Sequence, residues 1–251
     1  MIDKKEQWNT QQQYLINREY LIKSLDGVNS AIQMQLNNEE HYLAKIGGTG
    51  MASDSCEEMR EILEPPFLPK LDRSSFKYTL VLDLDETLIH YFQTEDEGKW
   101  LIRPNAEDFL EEMSKYYEIV IFTAAMQDYA DWVIDQIDPN GYIKYRLYRQ
   151  HALRWGQIYI KDLSRVGRDL SKMIIVDNVP ENFQLQADNG IFITSWFNDV
   201  NDTALNELMP ILKEIVLKNV DDVRMALRRL RDQMVDQISK GVELNGITYS
   251  L

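Results

Sequence analysis

Tyr78-Thr79-Leu80-Val81-Leu82-Asp83-Leu84-Asp85-Glu86-Thr87-Leu88 is the stretch on which the reading of this chain turns. Thr79 to Leu82 is a run of β-formers without the alternation of a half-exposed strand, which predicts a strand buried on both faces. It ends in two aspartates one residue apart. Acids at the end of an apolar strand are costly unless the site uses them. In an extended chain residues i and i+2 point to one side. Asp83 and Asp85 are therefore expected to share a cavity at the carboxyl edge of a sheet, where open α/β folds bind ligands. Two carboxylates there suit Mg²⁺, which takes oxygen ligands and few of them from protein. They equally suit a division of labour between nucleophile and general acid. Taken alone, the pair also fits a solvated acidic corner.

From Phe76 onward the pattern alternates strand and helix. A helix is expected from Pro104 or Asn105 to residue 116, a second buried strand at 117–123, and a helix at 127–136 that stops before the turn signal Pro139-Asn140-Gly141. Residues 142–148 and 157–160 read as strands. Residues 173–177 form a third core strand that again ends in an acid, and 191–194 a fourth. Amphipathic helices are expected at 203–217 and 220–238. This order predicts an α/β fold, a mostly parallel sheet with helices on both faces. Three core strands end in polar residues, at Asp83, at Thr123 and at Asp177-Asn178, and in one parallel sheet these termini converge on one edge. Lys161, in Tyr159-Ile160-Lys161-Asp162-Leu163, adds the cation that a phosphate site needs. Arg224, Arg228, Arg229 and Arg231 read either as a solvated helix face or as a contact for phosphate or an acidic partner.

Before this unit, residues 1–46 repeat apolar side chains (Trp8, Leu15, Ile22, Leu25, Val28, Ile32, Leu36) at helical spacing. They are expected to form a helical arm, which either docks into a partner or folds onto its own domain. Residues 47–75 read as a linker, opened by Gly47-Gly48-Thr49-Gly50 and closed by Pro65, Pro66 and Pro69. The domain is expected at 76–240 and a tail at 241–251. The 251 residues carry a formal charge of −14, which argues against nucleic acid as the main ligand. The single cysteine, Cys56, allows no internal disulfide. The position where a cysteine-based phosphatase would carry its arginine holds Ile62. No apolar run approaches the roughly 20 residues of a membrane span, and the first residues lack an apolar signal core. A cytoplasmic or nuclear location is expected from these absences, with a mitochondrial one as the alternative.

The ordered motifs resemble the NLI-interacting-factor branch of the haloacid dehalogenase superfamily, over about residues 76–235. That branch holds protein phosphatases of the RNA polymerase II C-terminal domain, Dullard-type phosphatases and the large receptor subunit of the mitochondrial presequence translocase. Asp83-Leu84-Asp85-Glu86-Thr87 matches its first motif, Phe122-Thr123-Ala124 the second, Lys161-Asp162-Leu163-Ser164 with Gly167-Arg168-Asp169-Leu170 the third, and Asp177-Asn178 the fourth. Ser195-Trp196-Phe197 and Asp202-Thr203-Ala204-Leu205 match as well.

The resemblance implies a Rossmann-like fold and a Mg²⁺-dependent phosphatase of serine/threonine phosphoproteins, working through an aspartyl-phosphate. It implies Asp83 as nucleophile and Asp85 as general acid and base. Mg²⁺ would sit among Asp83, the backbone carbonyl of Asp85 and Asn178, with Asp177 close by. Thr123 and Lys161 would hold the phosphate. Glu86 and Thr87 would lie behind these groups. Arg149 corresponds to a substrate-binding arginine, or else forms a surface ion pair. The short acidic segment at 91–101 departs from the polymerase-type relatives and, like Asn219-Val220-Asp221-Asp222-Val223-Arg224, looks more like the translocase receptor. The rival expectation is thus a scaffold on a phosphatase fold, held in a larger complex through the arm.

Overall fold

The structure is a computed structural model that describes residues 63–71, 76–93, 98–156 and 158–239. The arm expected at 1–46, most of the linker and the tail expected at 241–251 lie outside the described residues. In chain order the elements are β1 (Tyr78–Leu82), β2 (Ile89–Gln93), β3 (Gly98–Ile102), α1 (Ala106–Ser114), β4 (Tyr117–Phe122), α2 (Gln127–Ile137), β5 (Ile143–Leu147), β6 (Leu153–Trp155), β7 (Ile158–Ile160), β8 (Met173–Asp177), β9 (Gly190–Phe192), α3 (Ala204–Leu217) and α4 (Val223–Ser239).

Strand pattern sets strand position. β1, β4 and β8 bury every residue, and they occupy the centre of a five-stranded sheet ordered β5-β4-β1-β8-β9. β5 and β9, which keep partly exposed residues, take the edges. All four pairings are parallel, as expected for strands joined by helical crossovers. Along each central strand the side chains alternate between two cores. Leu80, Leu82, Ile119, Ile121, Ile174 and Val176 meet the inward faces of α1, α2 and α3, through Phe109, Val133 and Leu212 among others. Val81, Val120, Phe122 and Ile175 meet Leu163, Val166 and Phe183 from short 3-10 turns. Helical elements therefore cover both faces, the long α-helices only one of them.

The domain begins earlier than the expected boundary at residue 76. In the segment 63–71, Phe67 N donates to Arg165 O at 3.0 Å and Leu68 N to Val166 O at 3.1 Å, and Leu68 is buried in the second core. The Arg168 guanidinium grips Glu118 on β4 with two bonds of 2.6 and 2.9 Å and reaches Pro69 O at 2.7 Å. Such a paired fork satisfies a charge that burial would otherwise penalise. Gly167 sits beside it at φ 89°, where a Cβ would lie 2.6 Å from Pro66 Cβ. Gly167→Ala combines left-handed strain with this clash and is expected to destabilise the fold by about 1–3 kcal/mol. Urea denaturation tests this, and an unchanged midpoint would mean that the segment's docking adds nothing to stability.

Three further features were not foreseen. β2 and β3 pair antiparallel, with Tyr91 opposite Trp100. The strand expected at 157–160 pairs with β6 in a second hairpin. Three of the four arginines on α4 make ion pairs within the domain. Arg224 pairs with Asp222, and Arg228 and Arg231 both pair with Asp188, which fastens α4 to the 3-10 segment Pro180–Asn189. Arg228 and Arg229 remain exposed. Among the described residues no helix is long and apolar enough to cross a membrane.

Candidate active site

The parallel register places Leu82 beside Val176, and Asp83 N continues the ladder to Val176 O at 3.0 Å. Asp83 and Asp177 thus stand next to each other at the ends of neighbouring strands, on the face of Val81 and Ile175. Like charges so placed repel, and a buried cation offsets them. Lys161 Nζ lies 2.5 Å from Asp83 Oδ1 and 2.6 Å from Asp177 Oδ2. Lys161 and Asp177 are 0% exposed and Asp83 5%. Lys161 is carried in just after β7, where its backbone N–H donates to Asn182 O at 2.6 Å. The other oxygen of Asp177 accepts from Val179 N at 2.8 Å and Asn182 Nδ2 at 3.2 Å. Both Asp177 oxygens are thereby committed to holding Lys161 and the loop after β8.

Asp83 Oδ2 accepts from the buried Thr87 hydroxyl at 2.9 Å, and that hydroxyl lies 3.5 Å from Asn178 Oδ1. Asn178 Nδ2 donates to Ser195 Oγ at 3.0 Å, which turns its amide oxygen toward Asp83. The loop carrying these groups is clamped from outside. Buried Arg103 forks onto Asp202 at 2.7 and 2.8 Å and donates to Thr87 O at 3.1 Å. Trp196 N donates to Glu86 O at 2.9 Å. Glu86 is held at φ 57°, a conformation rare for a residue with a side chain. Arg103 with Asp202, and Trp196, thus brace the loop that follows β1. The Glu86 side chain itself turns to His90, 3.1 Å away.

Asp85 is half-buried at the same edge of the sheet. Its Oδ1 accepts from the Tyr129 hydroxyl at 2.6 Å and its Oδ2 from Thr123 Oγ1 at 3.4 Å. Thr123 follows β4 and also accepts from Ala125 N at 3.0 Å. Arg149 is fixed at the rim: its Nε donates to Ala124 O at 2.6 Å and its guanidinium stacks on Tyr159 at 4.9 Å. No surface ion pair holds it among the described residues.

Burial, countered by Lys161 and reinforced by Asp177 and Asp85, pushes Asp83 up to about 7. Burial also raises Asp85, against the pull of Tyr129 and Lys161. Burial works against the charge of Lys161, but Asp177 and Asp83 together outweigh it and hold the ammonium above the usual lysine range. Three carboxylates face one ammonium, a deficit that a divalent cation would offset. Among the described residues no group of three His, Cys, Asp or Glu is arranged to enclose a metal. The donors that converge are mixed, a carboxylate oxygen of Asp83 and the amide oxygen of Asn178, both hard ligands of the kind Mg²⁺ takes.

Asp83, Asp85, Thr123, Lys161, Asp177 and Asn178, expected from sequence, all meet here, with Arg149 at the edge. Tyr129, Asn182 and the amide-turning role of Ser195 were not foreseen. For Tyr129 the one available signal is its place in the first turn of the helix that follows the Thr123 strand.

A family model described as NLI interacting factor-like phosphatase matches residues 78–224. The chain is 44% identical over 180 residues to CTD small phosphatase-like protein 2 of Dictyostelium discoideum, covering 65% of this chain and 31% of that protein. It is 42% identical over 189 residues to CTD small phosphatase-like protein 3 of Caenorhabditis elegans, covering 67% and 66%. It is 37% identical over 175 residues to human carboxy-terminal domain RNA polymerase II polypeptide A small phosphatase 1, covering 63% and 66%. The chain thus spans 31% to 66% of the length of these relatives. A solved structure of the fission yeast RNA polymerase II CTD phosphatase Fcp1 bound to beryllium fluoride aligns at a TM-score of 0.42 and 19% identity, over 70% of this chain and 60% of that one. On the family match, which spans more than half of its residues, the chain belongs to the NLI interacting factor-like phosphatases.

Proposed function

We propose that this chain is a Mg²⁺-dependent phosphatase of serine/threonine phosphoproteins that works through an aspartyl-phosphate. The observation that carries this reading is the pairing of two carboxylates in different settings. Asp83 is buried against Lys161, while Asp85 is half-buried against Tyr129 and Thr123. Asp83 attacks phosphorus and the bond to the substrate oxygen breaks. Asp85 gives that oxygen its proton, so the alcohol leaves neutral. Water then attacks the phosphorus of the aspartyl-phosphate, Asp85 takes a proton from it, and the bond to Asp83 breaks to release inorganic phosphate. Thr123 donates to a phosphate oxygen. Lys161 holds Asp83 in place and offsets charge. Arg149 binds the substrate chain beside the phosphate. Asp177 acts through Lys161, since both its oxygens are taken. Mg²⁺, held by Asp83, the Asp85 carbonyl and Asn178, would supply positive charge against the phosphate dianion.

The relatives' names make a phosphorylated RNA polymerase II C-terminal-domain peptide the first protein substrate to try. The generic test is hydrolysis of 4-nitrophenyl phosphate. Turnover is expected with Mg²⁺ and is expected to vanish with excess chelator and return when Mg²⁺ is restored. Folded protein that turns over neither this ester nor phosphopeptides at any Mg²⁺ concentration would sink the proposal and favour the scaffold.

A further inference from the structure

The hydroxyl that lies closest to Asp85 belongs to a residue that no motif includes. Tyr129 Oη is 2.6 Å from Asp85 Oδ1, whereas Thr123 Oγ1 is 3.4 Å from Oδ2. A threonine hydroxyl has one proton to give. If Thr123 turns that proton to a phosphate oxygen, Asp85 is left with Tyr129 as its donor. The phenol is itself held from the side. Tyr91 on β2 meets it edge-on, with ring centroids 5.2 Å apart and planes at 84°. Tyr91 in turn lies across Gly98 of β3, where a Cβ would fall 2.1 Å from the Tyr91 hydroxyl oxygen, and that hydroxyl donates to Gln93 at 2.8 Å. A rigid line of groups thus runs from the β2–β3 hairpin to one carboxylate oxygen.

We infer that Tyr129 is a positioning residue: its hydroxyl fixes the Asp85 carboxyl so that the other oxygen faces the leaving group, and the β2–β3 hairpin, through Tyr91, keeps the phenol in place. This inference rests on the reading of Asp85 as general acid. It makes the hairpin part of the proton-transfer apparatus. General acid–base catalysis tolerates little misplacement, so a freed carboxyl loses rate even though it stays in the cavity.

The test separates leaving groups. Tyr129→Phe removes one oxygen and keeps the ring. With enzyme in excess, the first turnover of a phosphoserine peptide is expected to slow about 10- to 100-fold, within the range of acid catalysis, with little change in the concentration giving half-maximal rate. Release of 4-nitrophenolate in the same format is expected to slow far less, because that group leaves without a proton. In an Asp85→Asn background the same substitution is expected to add almost nothing, since its effect passes through Asp85. Tyr91→Leu is expected to shift the two substrates in the same sense by a smaller factor. Equal slowing of both leaving groups, a change confined to substrate affinity, losses that multiply in the double variant, or no loss at all would each overturn the inference. Asp85→Asn alone reports on the parent reading. If that variant slows both leaving groups equally, the general acid is misassigned whatever Tyr129 does.

Discussion

Asp83→Asn is expected to abolish ester hydrolysis while making the cation-free protein harder to unfold at pH 8. The loss of activity follows from removing the proposed nucleophile, and about 10⁴-fold or more is the scale when a covalent catalyst's attacking group is deleted. The gain in stability follows from burial. The Asp83 carboxyl is pushed up to about 7 in the fold, mainly by desolvation, whereas in an unfolded chain it titrates at about 4. Between those values the folded state binds more proton than the unfolded state, so stability falls as pH rises through the interval. The full penalty is present at pH 8 and absent below about pH 4. An amide carries no charge to desolvate, so the variant should gain at pH 8, gain less at pH 5 and gain nothing in strong acid. Urea denaturation in chelator, run at two pH values, reads this directly. A variant less stable than wild type at pH 8 would show that the bond from Lys161 outweighs desolvation, and would remove the argument that the site is strained in favour of function.

The parts legible in the sequence are those whose neighbours do not matter. Strands buried on both faces read as apolar runs without regular polar alternation, so β1, β4 and β8 were visible in Tyr78 to Leu82, Tyr117 to Phe122 and Met173 to Val176. Acids that end such runs stand out for the same reason, and Asp83, Asp85 and Asp177 needed no partner to be noticed. What stayed hidden depends on distant chain. Ile89-His90-Tyr91-Phe92-Gln93 becomes a strand only because Gly98 admits the Tyr91 ring across the hairpin. The segment of Pro65 and Pro66 reads as a spacer until Gly167, a hundred residues later, leaves room for it. Asp202 was visible as part of a match, but its ion pair with Arg103, and the loop that pair braces, exist only once the ends of β3 and α3 are brought together. Tyr129 was silent because a tyrosine in the first turn of an amphipathic helix is ordinary. Only the fold shows that its hydroxyl meets Asp85.

Lys161→Met is expected to have the largest effect on stability of any single change in the site. The ammonium is 0% exposed and bonds to Asp83 and Asp177 at once. Removing it leaves two adjacent carboxylates facing each other across parallel strands with an apolar side chain between them. Deleting one member of a buried ion pair typically costs about 3–5 kcal/mol, and here two anions lose their partner together. The sign with pH is set by those anions. Without the ammonium the Asp83 carboxyl, already raised by burial, is pushed further above its unfolded value, so the defect is greatest where the unfolded chain is fully ionised and shrinks as pH falls and Asp83 takes up a proton. Urea midpoints should therefore separate from wild type more at pH 8 than at pH 5. Activity should be lost at both. Adding Asp177→Asn should return part of the stability, because one of the two stranded charges is removed, and none of the activity, because Asp83 still lacks its holder. A deficit equal at the two pH values, or no recovery in the double variant, would mean that Lys161 supports the fold through the packing of its methylenes. The buried charge cluster would then no longer explain why a lysine follows β7.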